Sequence, residues 1–171
     1  IKRSINNFKS SSMDLITNNM KTVIFDLDGT LALIDDRRAL AAKDNGKIDW
    51  DVFFDPNNIQ LDKPNWPVIQ MAKLLHAAGN RIVIFSGRSK ATKEVTRDWL
   101  NQHGVPADVI KMRPTSGGFK FMKDDKLKQQ WLEDLFPNKD DILCVFDDRD
   151  KVVQMWRDNG LTCMQVAPGE F

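Results

Sequence analysis

Cysteine is scarce in this sequence, and its scarcity excludes two kinds of stabilisation. Of 171 residues only two are cysteine, Cys144 and Cys163. Each lies inside an apolar run, so buried, reduced thiols are expected rather than a disulfide or a thiolate metal pair. Long apolar runs are missing as well: no stretch approaches the roughly 18 residues of a spanning helix, and no secretory pattern is present. No membrane segment and a cytoplasmic location are therefore expected. Charge of one sign is not in excess either, with 25 Lys plus Arg against 24 Asp plus Glu and a formal charge of +1. That excludes the strongly basic profile of a protein that coats nucleic acid, and leaves both nucleic acid and small phosphates open as partners. The two histidines, His76 and His103, fall near predicted helix ends and read as capping or surface groups.

The length suits one domain that buries a real core. Residues 1–20 differ in character from the rest of the chain: Ser4-Ile5-Asn6-Asn7 and Ser10-Ser11-Ser12 are polar, and Met20-Lys21-Thr22 looks like a natural beginning. They are expected to form a flexible N-terminal tail or leader, with a helical turn near Asp14 to Thr17. A passive tail is preferred to a nucleic-acid-binding arm through Lys2, Arg3 and Lys9. Residues 21–171 are the folded domain. Within it the pattern predicts strands at 22–27, 81–86, 108–112, 142–147 and 162–166. Helical pieces are expected at 36–44 and 49–54, and helices at 66–78, 90–103, 123–135 and 150–159. Alternation of this kind implies an α/β architecture with a parallel sheet and right-handed crossovers. Gly79, Gly104 and Gly160 are placed to end helices.

The most informative stretch is Asp26-Leu27-Asp28-Gly29-Thr30, directly after the apolar Val23-Ile24-Phe25. One carboxylate at a strand's mouth can attack or bind a metal, and a second, past the turn at Gly29, can pass a proton over the same spot. That arrangement suits a covalent aspartyl-phosphate mechanism. The same five residues also read as a strand followed by an Asp-Gly turn. Two further apolar runs decide between these. Arg81-Ile82-Val83-Ile84-Phe85 ends at Ser86-Gly87-Arg88, and Ile142-Leu143-Cys144-Val145-Phe146 ends at Asp147-Asp148-Arg149. In an open parallel sheet the strands' carboxyl ends share one crevice, so Asp26, Asp28, Ser86, Asp147 and Asp148 should converge there. Four carboxylates in one crevice call for a cation, and an all-oxygen set suits Mg²⁺.

These motifs resemble those of the haloacid dehalogenase-like hydrolase superfamily: Asp26-x-Asp28-Gly29-Thr30, Ser86, Lys128 and Asp147-Asp148. Ser86-Gly87-Arg88, Lys123-Asp124-Asp125-x-x-Lys128 and the closing segment from Phe146 through Val152-Val153 to Gln165-Val166-Ala167-Pro168-Gly169-Glu170-Phe171 are similar to the phosphatase domain of phage-type polynucleotide kinase–phosphatase. The resemblance implies a Rossmann-like three-layer fold, a five-stranded parallel sheet in the order 3-2-1-4-5, and removal of 3′-phosphates from nucleic-acid ends. The intervals 31–65 and 113–122 are too short for an independent core, so a minimal cap or none is expected.

On that resemblance Asp26 is the nucleophile and Asp28 the proton carrier, with a pKa expected above that of Asp26. Mg²⁺ would be held by Asp26, Asp147 and the main-chain carbonyl of Asp28, with Asp148 holding a metal-bound water or orienting Lys128. Ser86, the amides near Leu27 and Gly87, Thr30 and Lys128 would meet the phosphoryl oxygens. Arg37, Arg88 and Asp124 match substrate-binding positions. Arg37 reads equally as part of a self-paired turn, Asp35-Asp36-Arg37-Arg38. Arg113 would touch phosphate or cap the sheet edge, and Arg149 would lock Asp148 or meet substrate. Lys123 reads as a surface charge. Trp50, Phe53, Phe54 and Trp66 are expected in the core in preference to stacking on a base. Dehalogenases and phosphonatases lack a carboxylate at position 28, so Asp28 points to phosphomonoesters. No Gly-x-x-x-x-Gly-Lys-[Ser/Thr] loop is present, so 5′ phosphorylation would need a separate or missing kinase domain. A nucleotide or small phosphoester remains the alternative substrate, and an inactive end-binding module the alternative role.

Overall fold

The computed structural model describes residues 20–169. The expected turn at Asp14–Thr17, the basic arm and the final Glu170-Phe171 lie outside the described residues. The chain runs β1 (Thr22–Phe25), β2 (Ala32–Leu33), α1 (Asp35–Leu40), α2 (Trp50–Phe53), α3 (Pro56–Ile59), β3 (Lys63–Pro64) and α4 (Trp66–Ala77). It continues through β4 (Arg81–Ser89), α5 (Lys93–Gln102), β5 (Val109–Arg113), α6 (Asp124–Leu135), β6 (Ile142–Asp147), α7 (Asp150–Asp158) and β7 (Cys163–Gln165). The sheet order is β5-β4-β1-β6-β7, every pair parallel. Counting only the sheet's own strands, that is 3-2-1-4-5.

β1 is central because its residues are apolar on both faces. Val23 and Phe25 enter a core with Ile82, Ile84, Ile69, Ala72, Trp99 and Leu100, under α4 and α5. Ile24, one residue out of step, enters the opposite core with Val83, Phe85, Val145, Leu127, Trp131, Val153 and Trp156, under α6 and α7. This period-two division makes three layers from one strand. Burying side chains of this size stabilises the fold by about 1.5–3 kcal/mol each. Apolar stripes at helical spacing, Val95-Trp99-Leu100 and Leu127-Trp131-Leu132-Leu135, are expected to pack on the sheet; all are core except Leu135, which at the end of α6 is 42% exposed. Cys144 and Cys163 are buried free thiols belonging to opposite cores.

Three local features depart from the sequence pattern, and each bears on the crevice. β4 runs on to Ser89, because after a shift in register beyond Ser86 the chain pairs again, Ser89 with Arg113. Such an irregularity re-aims side chains, here Gly87 and Arg88. The helix expected from residue 90 starts at Lys93, preceded by a 3₁₀ turn, Lys90–Thr92, capped by the Ser89 hydroxyl. β2 and β3 form an unexpected antiparallel ribbon, Ala32 opposite Pro64 and Leu33 opposite Lys63. The ribbon closes residues 31–65 into a small lobe whose own core is only Ile34, Ala41 and Phe53. That is the minimal cap the short interval implied.

Candidate active site

The acids gather at the carboxyl edge of the sheet. Asp26 directly follows β1, while Asp147 ends β6 with Asp148 after it. All three are buried, and one carboxylate oxygen from each lies within 4.8 Å of the other two. Lys128, buried on α6, donates from Nζ to Asp26 Oδ1 at 2.7 Å and to Asp147 Oδ2 at 2.9 Å. The Trp156 indole N–H also donates to Asp147 Oδ2, at 3.1 Å. The Thr30 hydroxyl lies 3.3 Å from Asp26 Oδ2 and 3.5 Å from Asp148 Oδ1, tying the two acids together. Gly29 makes their approach feasible. Its φ is 87°, and a β-carbon there would stand 2.1 Å from Asp148 Oδ2. An L side chain there would be strained in its backbone and would have to displace the Asp148 carboxylate.

Three buried acids share one lysine, and the proton affinities of Asp26 and Asp148 rise. Burial, then repulsion from Asp147 and Asp148, holds the Asp26 carboxyl well above the usual carboxylate range against the pull of Lys128. Burial and Asp147 push Asp148 up to about 6. Burial alone would lower the Lys128 ammonium, but Asp147 and Asp26 outweigh it and raise its pKa. Lys128 is therefore a permanent cation here.

Beside this cluster lies a second, made of two arginines and two acids. Asp28 Oδ1 accepts from Arg37 Nη2 at 2.6 Å, Arg88 Nε at 2.9 Å and Arg88 Nη2 at 2.5 Å. Both guanidiniums are fully buried. Asp62 is their other counter-charge: its carboxylate takes Arg37 Nε and Nη2 at 2.9 and 2.8 Å, and Arg88 Nη2 at 2.8 Å. The remaining guanidinium donors reach the Phe53 carbonyl (3.1 Å) and the Thr96 hydroxyl (3.2 Å). Arg37 also stacks on the Phe53 ring, 4.3 Å from its centroid. Asp62 is fixed in turn by its backbone carbonyl, which accepts the Trp99 indole N–H at 2.8 Å.

The third wall is built around Gly87. Ser86 is buried at the end of the regular β4 pairing, and its hydroxyl accepts the Arg88 amide at 3.2 Å. Asp124, in the first turn of α6, would lie 2.8 Å from any β-carbon at position 87. Its two oxygens are taken by Arg113 Nη2 and by Arg149 Nη1, the latter at 2.9 Å. Arg113 also donates to the carbonyls of Gly87 (3.1 Å) and Met122 (2.5 Å).

A family model described as the phosphatase domain of polynucleotide kinase PNKP matches residues 20–171. The chain belongs to this family. A curated relative, a proposed bifunctional polynucleotide kinase/RNA ligase of Autographa californica nuclear polyhedrosis virus, is 31% identical over 141 residues, covering 81% of this chain and 18% of the viral protein. A chain in the solved Pnkp1/Rnl/Hen1 RNA repair complex is 32% identical with a TM-score of 0.71, over 91% of this chain and 45% of that one. This chain thus spans less than half the length of these relatives. A proposed phosphatase from Clostridium difficile, only 14% identical, shares the fold with a TM-score of 0.62 over 87% of this chain and 86% of its own. The PNKP-type phosphatase domain is a phosphoric monoester hydrolase of the haloacid dehalogenase type.

Within this PNKP-type domain the structure brings together Asp26, Asp28, Thr30, Ser86, Gly87, Arg88, Lys128, Asp147 and Asp148, with Arg37 and Asp124 beside them. Several expectations are corrected. The order of proton affinities is reversed: burial would raise Asp28, but Arg88 and Arg37 outweigh it and lower its pKa, while Asp26 is the raised group. Arg37 is no self-paired turn, because its guanidinium reaches Asp28 and Asp62 instead of Asp35 or Asp36. Asp148 contacts Thr30, while Lys128 is oriented by Asp26 and Asp147. The Arg113 side chain is a brace on Asp124 and backbone carbonyls, not a sheet-edge cap. Arg149 likewise reaches Asp124. Trp50 and Trp66 are about half exposed, so of the four aromatics only Phe53 is buried. Lys123 is an exposed surface charge. Sequence reasoning missed Asp62. Its one signal was arithmetical: two buried arginines need two acids, and only Asp28 is an obvious partner in the sequence.

Proposed function

We propose that this domain removes the 3′-phosphate from a polynucleotide end through an aspartyl-phosphate on Asp26. The observation that carries the chemistry is the position of Asp26: at the mouth of the central strand, held by Lys128 on one oxygen and by Thr30 on the other. A carboxylate fixed at both oxygens is oriented for in-line attack. As the Asp26–phosphorus bond forms, the bond to the leaving oxygen breaks and that oxygen takes a proton from Asp28; because Arg37 and Arg88 hold Asp28 ionised in the free domain, that proton enters with the phosphate ester as its monoanion. Water, deprotonated by Asp28, then attacks phosphorus and frees Asp26 and inorganic phosphate. One Asp28 oxygen is pinned by Arg37 and Arg88, and the other accepts no hydrogen bond among the described residues, leaving it for the proton.

The acid triad fits Mg²⁺. Ligand oxygens around an octahedral ion 2.0–2.1 Å away lie about 3 to 4 Å apart, and the three carboxylates fall within 4.8 Å of one another. Asp26, Asp147 and Asp148 would hold it, with the Asp28 main-chain carbonyl. When bound, the ion supplies positive charge that lets an anionic phosphate approach an anionic nucleophile. The residues supply the rest. Lys128 neutralises charge on the transferring group, and Ser86, Thr30 and the amides near Leu27 and Gly87 hydrogen-bond its oxygens. Arg37 and Arg88, oriented by Asp62, fix Asp28; Asp124, with Arg113 and Arg149, shapes the wall at Gly87.

A polynucleotide end is favoured by the lobe of residues 31–65, too small to enclose a metabolite, and by the polynucleotide kinase relatives. The test offers a 3′-phosphorylated oligonucleotide, a nucleoside 3′-monophosphate and p-nitrophenyl phosphate with Mg²⁺. Higher kcat/KM for the oligonucleotide is expected. Equal turnover of the mononucleotide would make the domain a nucleotidase, and no phosphate release from any would defeat the reading.

A further inference from the structure

Between β5 and α6 the chain carries a short loop, Pro114 to Lys123, that core packing does not explain. Its 3₁₀ turn, Gly118–Phe121, buries none of its residues. Phe121 is 86% exposed and Phe119 42%. Large aromatics set out in water within a polar Thr-Ser-Gly-Gly stretch are informative, since burial does not hold them. The loop is nevertheless firmly tied. Arg113 Nη1 donates to the carbonyls of Phe119 (3.3 Å), Lys120 (3.3 Å) and Met122 (2.5 Å). The same guanidinium donates from Nε to the Gly87 carbonyl, 3.1 Å away, and pairs with Asp124. One side chain thus bolts the exposed rings to the backbone beside Ser86.

The charge around the rings is positive. Lys120 Nζ sits 5.1 Å from the Phe121 ring centroid, and Lys123 is exposed two residues on. The nearby acids are compensated: Asp124 by Arg113 and Arg149, Asp125 by Lys126 at 3.9 Å. A flat apolar face with cations at its rim, fixed next to a phosphoryl site, matches single-stranded nucleic acid, whose bases stack on aromatics while lysines meet phosphates.

We propose that the Phe119–Phe121 turn is a stacking platform for a base of the single-stranded polynucleotide whose terminal phosphate enters the crevice. This rests on the polynucleotide reading above and names the part of the protein that recognises the polymer. Phe121 carries most of the contact, Phe119 the rest, and Arg113 sets their distance from Ser86.

The test compares wild type, Phe121→Ala and Phe121→Trp on two substrates with Mg²⁺: a single-stranded 3′-phosphorylated oligonucleotide, and glycerol 2-phosphate, which has no base. Because Phe121 is exposed, both variants should fold, and circular dichroism checks this. Phe121→Ala should raise KM for the oligonucleotide about tenfold, about 1.4 kcal/mol, in the range of one base on one ring. Its kcat should be unchanged, as should its kinetics on glycerol 2-phosphate, and Phe121→Trp should restore the wild-type KM. Unchanged oligonucleotide kinetics in Phe121→Ala, or equal losses on both substrates, would overturn the platform. Wild type that prefers a nucleoside 3′-monophosphate to the oligonucleotide would instead defeat the polynucleotide reading beneath it.

Discussion

Replacing Asp62 by Asn should weaken catalysis without weakening the fold at neutral pH, and the separation comes from two opposing terms. Burial pushes the Asp62 carboxyl up to about 6 from 3.8, although Arg37 and Arg88 pull it down. Desolvation therefore exceeds the ionic gain, as it often does for buried pairs. At about 1.36 kcal/mol per pKa unit, holding the charge in the folded protein costs about 3 kcal/mol. Between pH 3.8 and 6 the folded protein keeps the Asp62 proton while the unfolded chain has released it, so this group lowers stability as pH rises through that window. The Asn variant lacks the term. Its stability relative to wild type should grow by up to about 3 kcal/mol from about pH 4 to about pH 7. Against this, an amide can keep the contacts of only one carboxylate oxygen, and a buried donor facing the donor of Arg37 costs about 1–3 kcal/mol. The net change at neutral pH is about zero to slightly stabilising. Activity should fall about 10²-fold in kcat/KM, the scale of a small misplacement near reacting atoms, because Arg37 and Arg88 lose one of the two acids that aim them. Urea unfolding at acidic and neutral pH with parallel kinetics reads both. Destabilisation by about 3–5 kcal/mol at neutral pH, the usual result of stripping one partner from a buried pair, would refute the argument.

Asp26→Asn should abolish phosphate release, with loss exceeding about 10³-fold, yet keep wild-type circular dichroism, since relieving a carboxyl with a raised pKa does not strain the fold. Activity of that variant near wild type would end the covalent proposal. Mg²⁺ at about a hundred times its Kd should raise stability by about 2.7 kcal/mol, read as a shift in Tm that Asp148→Asn diminishes and a chelator reverses. Gly29→Ala should cost about 1–2 kcal/mol from the left-handed backbone alone and displace Asp148, so that more Mg²⁺ is needed for half-maximal rate. Equal Mg²⁺ dependence in wild type and variant would count against that steric account.

The acids at strand ends were legible because period-two apolar runs mark where each strand stops, and a parallel sheet puts all the stops on one edge. Asp26, Ser86 and Asp147 needed nothing further. Lys128 was legible only through its motif, since Lys123 and Lys126 lie on the same segment and nothing in their chemistry separates them. The lobe of residues 31–65 was opaque. Its helical turns are one or two turns long, below the length at which periodicity speaks, and the β2–β3 ribbon pairs only two residues per strand. Asp62 was lost with it, because its role depends on Arg37 and Arg88 arriving from 25 residues upstream and 26 downstream. Trp50 and Trp66 show the converse error: residue type argued for burial, but the lobe has too little core to cover them.

The two charge clusters differ in a way that assigns their work. Arg37, Arg88, Asp28 and Asp62 carry two positive and two negative charges, with every guanidinium nitrogen reaching an acceptor. That set is closed; it needs no further ion and serves as scaffolding for Asp28. Fully ionised, Asp26, Asp147 and Asp148 carry three negative charges against the one of Lys128, and the raised proton affinities of Asp26 and Asp148 reflect that excess. That set is short by two positive charges in a place where water cannot screen the deficit. A monovalent ion would leave it unbalanced, whereas a divalent one closes it. A neutralised Asp26 site then meets an incoming phosphate without net repulsion. The proposed requirement for a divalent cation thus comes from counting charges around Asp26, and K⁺ or Na⁺ should fail to support turnover at any concentration.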